Sequence, residues 1–272
     1  MNLKFIEIKS RDNQKLKLAR LVRDGRVGDK IFVEGLRLGE ELLKTGLSIN
    51  SIFFTAKFAS SPRGFELLQK LSAKRLELFE LDEKLFGSLS DTTQSQGVVI
   101  IAEKPQTGKE IIEKAFENTD INPLFLLLHQ INNPANLGAI LRTAEAVGVC
   151  GIITTKNTTD IFSAKSLRGA MGASFRLPLW INADFFDVLN WARLNKIKSV
   201  CADVSSSNSY LEIDWTISRL LVLGSEGHGL SEIERLATDE NLIIPMENAV
   251  ESLNVAVAGG VILFEAKRQR NQ

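Results

Sequence analysis

The chain has 272 residues, of which 44% are hydrophobic and 24% are charged, as is ordinary for a soluble globular protein with one large domain or two smaller ones. It has no apolar signal-peptide core at its start and no apolar run near the ~20 residues of a membrane span, so we expect a cytoplasmic protein that binds no membrane. Cys150 and Cys201 lie in apolar stretches. They are typical of reduced core thiols, which excludes a disulfide framework.

The charge of the chain is concentrated at its start. The formal net charge is zero, which argues against nucleic-acid binding through bulk charge. Residues 1–30, however, hold nine basic and four acidic side chains. The basic residues are spaced as on one or two faces of a helix, which fits an RNA-contacting arm as well as a solvated helix face. The candidate RNA-binding residues are Lys15, Lys17, Arg20, Arg23 and Arg26.

The first hundred residues alternate between short strand-like runs and helical patterns. They predict a small α/β domain over 1–104, and the polar, helical segment 105–122 is interpreted as a linker. The predicted strands are 31–33, 51–54, 76–81 and 96–102, and the predicted helices are 36–43 and 65–71.

The rest of the chain, 123–272, has the alternating pattern of a parallel sheet covered by helices on both faces. It opens with an apolar run typical of a buried parallel strand. The predicted strands are 124–128, 151–155, 177–181, 199–204, 219–223 and 242–244. The predicted helices are 136–147, 164–173, 185–195, 231–237 and 252–268.

A first block of interest, 132–144, directly follows a predicted buried strand, where open α/β sheets bind their ligands. Gly138 and Arg142 are four residues apart and share a helix face. Glycine lets a ligand or another backbone approach, and arginine can hold a phosphate or a ribose hydroxyl. An N-cap at Asn136 and a surface pair between Arg142 and Glu145 would explain the same residues structurally.

A second block, 221–231, places three glycines between a strand and a helix, so that backbone amides can face a ligand. Glu226 is an acid inside this loop, and Ser231 with Glu234 forms a capping box that defines the next helix start. The glycine order differs from the dinucleotide fingerprint, which disfavours a nicotinamide-dependent dehydrogenase. No Gly-Lys-Ser/Thr follows, so a P-loop is excluded.

A third block, 243–258, takes the chain from a strand through Pro245 into a helix rich in small residues. Ser252 is interpreted as the N-cap and Asn254 as a polar residue of the first turn. The small residues would let this helix pack closely against another element. His129 and His228 are the only histidines of the chain, so neither a histidine-based triad nor a metal site is expected.

In their order and spacing, the three blocks resemble motifs 1, 2 and 3 of the SpoU-type (TrmH-like) RNA 2′-O-ribose methyltransferases of the SPOUT superfamily. Three phrases in the first domain resemble that family's substrate-binding domain: 32–35 (FVEG), 90–92 (SDT) and 96–99 (QGVV). The resemblance implies S-adenosylmethionine as cofactor and RNA as substrate, with ribosomal RNA favoured over tRNA. It further implies a homodimer with active sites at the subunit interface and a C-terminal trefoil knot.

The resemblance also implies roles for individual residues. The cofactor would lie against the backbone near Gly224, Ile244 and Leu253, with Thr155 and Met246 nearby. The family's polar functional positions are matched by Asn136, Arg142, Glu226, Ser252 and Asn254.

Because a guanidinium is very hard to deprotonate, Arg142 is expected to orient the ribose hydroxyl and the adjacent phosphate rather than to accept a proton. One departure is Asn133, where family members commonly carry aspartate; it removes a charge from the motif 1 loop.

Three further functions compete within the same fold: a tRNA 2′-O-methyltransferase, a non-catalytic RNA-binding relative, and a knotted methyltransferase acting on a base nitrogen. A non-catalytic relative would be expected to lose Asn136, Arg142 or the Ser-Leu-Asn of motif 3, and all are present. The Asn/Arg pairing of motif 1 disfavours a base nitrogen as the acceptor.

Overall fold

The structure, a computed structural model, describes residues 3–74, 76–119, 122–248 and 251–271. It consists of two compact units. The first unit comprises 1–105 together with 161–175, and the second comprises 106–160 together with 176–272. The fifteen residues 161–175 therefore belong to the first unit, although the residues on both sides of them belong to the second. The sequence pattern did not indicate this.

The elements before residue 104 are β1 (Ile6–Ile8), α1 (Gln14–Arg23), β2 (Lys30–Glu34), α2 (Leu36–Leu43), β3 (Ile49–Thr55), α3 (Ala56–Ser60), α4 (Pro62–Ala73), β4 (Leu78–Leu81), α5 (Glu83–Gly87) and β5 (Val98–Glu103). They are followed by α6 (Lys109–Glu117), β6 (Leu124–Leu128), α7 (Pro134–Val147), β7 (Gly151–Thr155), α8 (Ala164–Ala170), α9 (Ala173–Arg176), β8 (Leu179–Ala183), α10 (Phe185–Leu194), β9 (Lys198–Ala202), β10 (Arg219–Leu223), α11 (Glu232–Ala237), β11 (Glu240–Leu242) and α12 (Val255–Arg270).

The first unit is built on a five-stranded mixed sheet of order β1-β4-β3-β5-β2. Strands β1, β4 and β3 run parallel, and β5 is antiparallel to both β3 and β2. One face packs against α1 and α5 around Phe53 and Phe79, whose rings stack 5.3 Å apart. On the other face α2 approaches closely, since a Cβ on Gly39 would lie 3.0 Å from Ile100 Cδ1.

The second unit has a six-stranded, fully parallel sheet of order β11-β9-β10-β6-β7-β8, which confirms the predicted fold class. Every residue of the central strands β6 and β10 is buried. Phe125 and Leu127 of β6 face α6 and α10, whereas Leu223 of β10 faces α12 on the opposite side. The trefoil knot stays a prediction.

The chain order of this sheet identifies where a ligand should bind. On one side of β6 lie β7 and then β8. On the other side β10 is the direct neighbour of β6, and β9 lies beyond β10. The strand order therefore reverses between β6 and β10. Ligands of open α/β sheets bind outside the carboxyl ends of the strands at such a point. Motif 1 follows β6 and motif 2 follows β10, so both border this crevice.

Several predicted boundaries were wrong. The sequence pattern missed the short elements β1, α3 and α5. The last strand ends at Leu242 rather than at residue 244, and α12 begins three residues later than predicted. The predicted helix 164–173 is broken because Met171 and Gly172 adopt left-handed backbone angles, with φ of 51° and 94°. None of the described helices combines the length and the apolarity that a membrane crossing demands.

Candidate active site

Motif 1 forms the turn from β6 into α7. Pro134 occupies the first helical position, where its fixed φ suits the helix and its missing N–H is not needed. The N-cap is therefore Asn133, whose Oδ1 accepts the Ala135 N–H at 2.9 Å. The expectation of an N-cap at Asn136 was wrong, and the Asn136 side chain is free to point elsewhere.

The alternative surface pair between Arg142 and Glu145 is not formed. Glu145 instead accepts a hydrogen bond from Arg176, with 2.9 Å between Nη2 and Oε2. Arg142 is exposed on α7, and it has no hydrogen-bond or ion-pair partner within the described ranges. Its guanidinium therefore keeps its full donor capacity for a substrate.

Motif 2 is a loop closed on itself between β10 and α11. A Cβ on Gly224 would lie 2.6 Å from the carbonyl carbon of Gly229, so only glycine fits where the ends of the loop meet. The Gly229 N–H donates to the Ser225 carbonyl at 3.0 Å. Ser231 and Glu234 form the predicted capping box, which fixes the start of α11.

One hydrogen-bonded chain of side chains joins the three motifs. The Glu226 carboxylate accepts the backbone N–H groups of Asn132 and Asn133, both at 3.1 Å, and the Asn136 side-chain amide at 3.2 Å. The side-chain oxygen of Asn136, Oδ1, in turn accepts a hydrogen bond from the Asn254 side-chain amide at 3.1 Å. Motifs that are far apart in sequence thereby converge on one point, with Asn136 as the central link.

The charge state of Glu226 follows from these contacts. Desolvation acts to raise the pKa of Glu226. Hydrogen bonds from backbone N–H groups, above all that of Asn132, and from the Asn136 amide outweigh this effect. The pKa of Glu226 is therefore lowered below its ordinary 4.5. An anionic carboxylate with its oxygens engaged is a poor proton acceptor at neutral pH. Glu226 therefore holds the motif 1 turn in place.

Motif 3 leads into α12. The N-cap of this helix is Asn254, whose Oδ1 accepts the N–H groups of Ala256 at 2.9 Å and Val257 at 3.4 Å. The expectation that Ser252 is the cap was wrong, and Ser252 is exposed just before the helix. Ala249 and Val250 lie outside the described residues.

Helix α12 packs closely on the sheet, as its small residues predicted. A Cβ on Gly259 would lie 2.9 Å from Leu223 Cδ1, so the helix approaches the strand that carries motif 2. This contact places the first turn of α12, and therefore Asn254, beside the motif 2 loop.

The three motifs line a single cavity of about 970 Å³ at the switch point of the sheet. Of the ten predicted catalytic and cofactor-binding residues, the structure brings eight together in its wall: Asn136, Gly224, Glu226, Ile244, Met246, Ser252, Leu253 and Asn254.

Arg142 and Thr155 are not part of this wall. Thr155 is buried at the end of β7, where its hydroxyl accepts the Gln130 N–H at 3.2 Å and lies 3.1 Å from His129 Nδ1. Its predicted role at the cofactor stays a prediction.

Sequence reasoning missed a charged pair in the cavity wall. Asp203 follows β9 and pairs with Arg235 of α11, with 3.0 Å between Oδ2 and Nη1. Desolvation raises the pKa of Asp203, but hydrogen bonds from Ser205 and Arg235 outweigh it and hold the pKa below its ordinary value. The available signal was an acid near the end of the predicted strand 199–204, at the edge where ligands bind.

No three His, Cys, Asp or Glu side chains lie close enough to hold a metal ion in the part of the chain that the structure describes. Cys201 lines the cavity, and burial raises the pKa of its thiol. It therefore stays protonated and behaves as a small apolar residue.

Two of the predicted RNA-binding arginines have structural partners. Arg20 donates to the Ser88 hydroxyl at 2.7 Å, and Arg23 donates to the carbonyls of Ser88 and Leu89 at 3.0 and 3.1 Å. These hydrogen bonds connect α1 to the turn that ends α5. Because their guanidinium groups are engaged, Arg20 and Arg23 have fewer donors available for phosphate.

The other three predicted RNA-binding cations are exposed. Lys15 pairs with Glu77 at 2.6 Å and Lys17 with Asp12 at 2.9 Å, both at the surface, where ion pairs are weak. Arg26 is exposed after α1. These three remain candidates for RNA contact.

Two of the three family-like phrases of the first unit, 32–35 and 90–92, meet at Glu34, which is only 5% exposed. Hydroxyl groups of Ser90, Thr92 and Ser95 donate to Glu34 Oε1 at 2.5, 3.0 and 2.8 Å, and the Asp91 N–H donates to Oε2 at 2.9 Å. One buried carboxylate therefore organises the whole loop 90–95.

Comparison with known proteins places this architecture in a family. Residues 123–264 match the SpoU rRNA Methylase family, and residues 32–108 match the RNA 2′-O ribose methyltransferase substrate-binding domain. The chain belongs to the SpoU rRNA methylase family. Its predicted family and enzyme class, an S-adenosylmethionine-dependent RNA 2′-O-methyltransferase, are confirmed.

Individual relatives agree with this assignment. The chain is 31% identical to the mitochondrial rRNA methyltransferase 3A of Danio rerio, over 98% of its own length and 71% of the relative's. It is 32% identical to the 23S rRNA (guanosine-2′-O-)-methyltransferase RlmB of Neisseria meningitidis, over 78% of this chain and 84% of that one. The SpoU methyltransferase AviRb from Streptomyces viridochromogenes, solved in complex with AdoMet, superimposes with a TM-score of 0.84 at 26% identity, covering 96% of this chain and 99% of that one.

Proposed function

We propose that the protein methylates a ribose 2′-hydroxyl of ribosomal RNA with S-adenosylmethionine as methyl donor. The observation that carries the proposal is the hydrogen-bonded chain Glu226–Asn136–Asn254, which joins all three motifs in the wall of one cavity. Ribosomal RNA is favoured because the relatives described above are named for it and because the chain has the family's substrate-binding domain.

The cavity has the size and lining that the cofactor requires. Its volume of about 970 Å³ lies in the range of pockets that enclose nucleotide-sized ligands. Ile244, Met246 and Leu253 give an apolar wall for the adenine, and the loop beginning at Gly224 presents backbone amides. Glu226 supplies negative charge for a cationic ligand. When bound, S-adenosylmethionine supplies a methyl group activated by its sulfonium centre.

The protein's own contribution is chiefly to hold the ribose in line with that methyl group. Asn136, Ser252 and Asn254 line the cavity with hydrogen-bonding groups that can position the nucleotide. A guanidinium can only donate hydrogen bonds, so Arg142 orients the 2′-hydroxyl and the neighbouring phosphate as a donor.

We propose that the functional unit is a homodimer. An apolar stripe on α12 is exposed in the single chain: Val257 and Phe264 are 54% and 55% exposed and lie seven residues apart, on one face of the helix. A second copy would cover this stripe. The interface would then adjoin motif 3 and lie next to α7, against which α12 packs and on which Arg142 is exposed.

We assign RNA binding and methyl transfer to different parts of the chain. Residues 1–104 bind the RNA, with Lys15, Lys17 and Arg26 contacting phosphates, 105–122 connects the halves, and 123–272 transfers the methyl group. The unpaired thiols of Cys150 and Cys201 favour a reducing compartment, and we place the protein in the cytoplasm.

The choice of substrate is tested by incubating purified protein and tritium-labelled S-adenosylmethionine with deproteinised ribosomal RNA or with tRNA. We expect label in the ribosomal RNA fraction. Label in tRNA alone would replace the proposed substrate with tRNA. No label in either fraction, together with intact binding of the cofactor and of RNA, would favour a non-catalytic relative.

A further inference from the structure

A buried histidine connects two of the motifs without lining the cavity. His129 is 5% exposed and stands at the end of β6, just before the motif 1 turn. Its Nδ1 lies 3.1 Å from the Thr155 hydroxyl, and its Nε2 lies 3.1 Å from Oε1 of Glu234 in α11. The ring packs edge-on against Phe185, with 4.9 Å between centroids. Both ring nitrogens are therefore engaged.

The partners fix the direction of every hydrogen bond. Glu234 Oε2 accepts the N–H and hydroxyl of Ser231 at 2.8 and 2.7 Å, and a carboxylate can only accept, so His129 Nε2 carries the proton. Nδ1 then accepts the Thr155 hydroxyl, whose oxygen accepts the Gln130 N–H at 3.2 Å. A neutral imidazole satisfies every group. In keeping with this, burial lowers the pKa of His129, opposed by the Glu234 charge.

The series of hydrogen bonds Gln130–Thr155–His129–Glu234, here called the relay, ends at two places that shape the cavity. At one end, Gln130 has a φ of +54°, a left-handed conformation that non-glycine residues rarely adopt unless their surroundings hold them. The Gln130 N–H bond to Thr155 holds it, and the motif 1 turn follows directly. At the other end, Glu234 caps α11 next to the cavity-lining residues Leu230 and Arg235.

We infer that His129 is a positioning residue, which fixes the motif 1 turn and the start of α11 relative to each other and thereby sets the geometry of the cofactor cavity. The inference rests on the proposed function. It differs from the contact made by Glu226, which links the same segments at an exposed site. None of His129, Thr155 and Glu234 lines the cavity, so the effect of His129 on the cofactor is transmitted through geometry.

The test compares His129→Phe, which keeps the packing on Phe185 but loses both hydrogen bonds, with His129→Gln, whose amide can still donate to Glu234. S-adenosylmethionine binding is measured by calorimetry, and amide hydrogen exchange of 130–133 and 224–231 is measured without ligand. We expect His129→Phe to weaken binding roughly tenfold and to speed exchange in both segments, since it removes a hydrogen bond to a charged group. His129→Gln should recover most of both losses.

Ser199→Ala is the matched control. It removes two hydrogen bonds of the buried Ser199 hydroxyl, which donates to Asp239 Oδ2 at 2.7 Å and accepts the Asp239 N–H at 3.0 Å. Ser199 lies near the amino end of β9, opposite the strand ends that border the cavity. Ser199→Ala should lower the melting temperature without changing cofactor binding. If His129→Phe does not fold, Thr155→Val, which replaces only the hydroxyl, takes its place.

His129→Phe or Thr155→Val with wild-type binding and exchange, whatever its melting temperature, would overturn the inference. Failure of the proposed function would look different. The wild-type protein would then bind no S-adenosylmethionine, while the hydrogen-exchange comparison would still report whether His129 holds the two segments.

Discussion

Arg142 differs from Glu226, Asn136 and Asn254 in having no protein partner among the described residues. Glu226, Asn136 and Asn254 bond to one another, and those bonds build the site. An exposed guanidinium on a rigid helix is instead suited to meet a phosphate or hydroxyl that arrives with the substrate. The distinction separates residues that shape the cavity from one that we propose acts on the RNA.

Replacing Arg142 should therefore affect turnover and leave the cofactor site intact. For Arg142→Ala we expect kcat to fall roughly 100-fold or more, because the ribose loses its orientation. The dissociation constant for S-adenosylmethionine, measured by calorimetry, should stay within about twofold. Thr143→Ala is the control, since Thr143 is next to Arg142 on α7 and its hydroxyl donates to the Ala139 carbonyl at 3.0 Å. Lost cofactor binding in Arg142→Ala would show that its role is wrongly assigned.

Glu226 predicts a particular dependence of stability on pH. Because its pKa is lowered in the folded state, its stabilising contribution is present above the ordinary pKa of 4.5 and is lost as the pH falls through the folded value. Glu226→Gln should thus lower the free energy of unfolding at pH 7, with the difference from wild type shrinking toward pH 3. Urea unfolding at several pH values measures this.

A difference that is equal at all pH values would contradict the assigned role of Glu226. Glu251→Gln is the matched control, since Glu251 lines the same cavity but makes no hydrogen bond within the described segments. It should leave the unfolding free energy unchanged.

At the scale of elements, predictions succeeded where hydrophobic pattern decides structure. Strand β6 is apolar throughout and buried throughout, as expected of a central parallel strand. Strand β1 was missed because three residues at an edge, with two of them exposed, carry no such pattern. The grouping of segment 161–175 with the first unit was not indicated, because pattern shows which residues are buried but not against which partner.

The site was predictable only in part for the same reason. Motif order indicated eight residues of the cavity wall, but long-range side-chain contacts have no local signal. The relay from His129 to Glu234 spans more than a hundred residues of chain, and Asp203 meets Arg235 from a different element. The caps were wrong by two or three residues because Pro134 and Asn254 offered better helix starts.

The packing of α12 on the sheet is tested by two adjacent glycines. A Cβ on Gly259 would meet Leu223 Cδ1 at 2.9 Å, whereas a Cβ on Gly260 would meet nothing within 4 Å. We expect Gly259→Ala to lower the free energy of unfolding by about 1–3 kcal/mol through overpacking. Gly260 shares the helix face of Val257 and Phe264, so the comparison is made at protein concentrations where the chain is monomeric. There Gly260→Ala should be neutral or raise the free energy of unfolding by up to about 1 kcal/mol through helix propensity. Urea unfolding measures both, and equal effects would contradict the close packing.

For the whole molecule, the exposed stripe on α12 predicts the oligomeric state. Phe264→Asp places a charge in the proposed interface, where burying it unpaired is costly. We expect sedimentation velocity to show a dimer for the wild type and a monomer for this variant. Phe186→Asp, at a similarly exposed position on α10 (48%), should remain dimeric. A wild-type monomer, or a Phe264→Asp dimer, would exclude this interface.

The central chemical property of this enzyme is that the methyl group goes to the ribose and not to the base. Ribosomal RNA methylated by the purified protein can be digested to nucleosides and analysed by mass spectrometry, which separates ribose from base modification by the mass of the base fragment. We predict a 2′-O-methylnucleoside that is absent with Arg142→Ala and present with Thr143→Ala. A methyl group on the base would contradict the account.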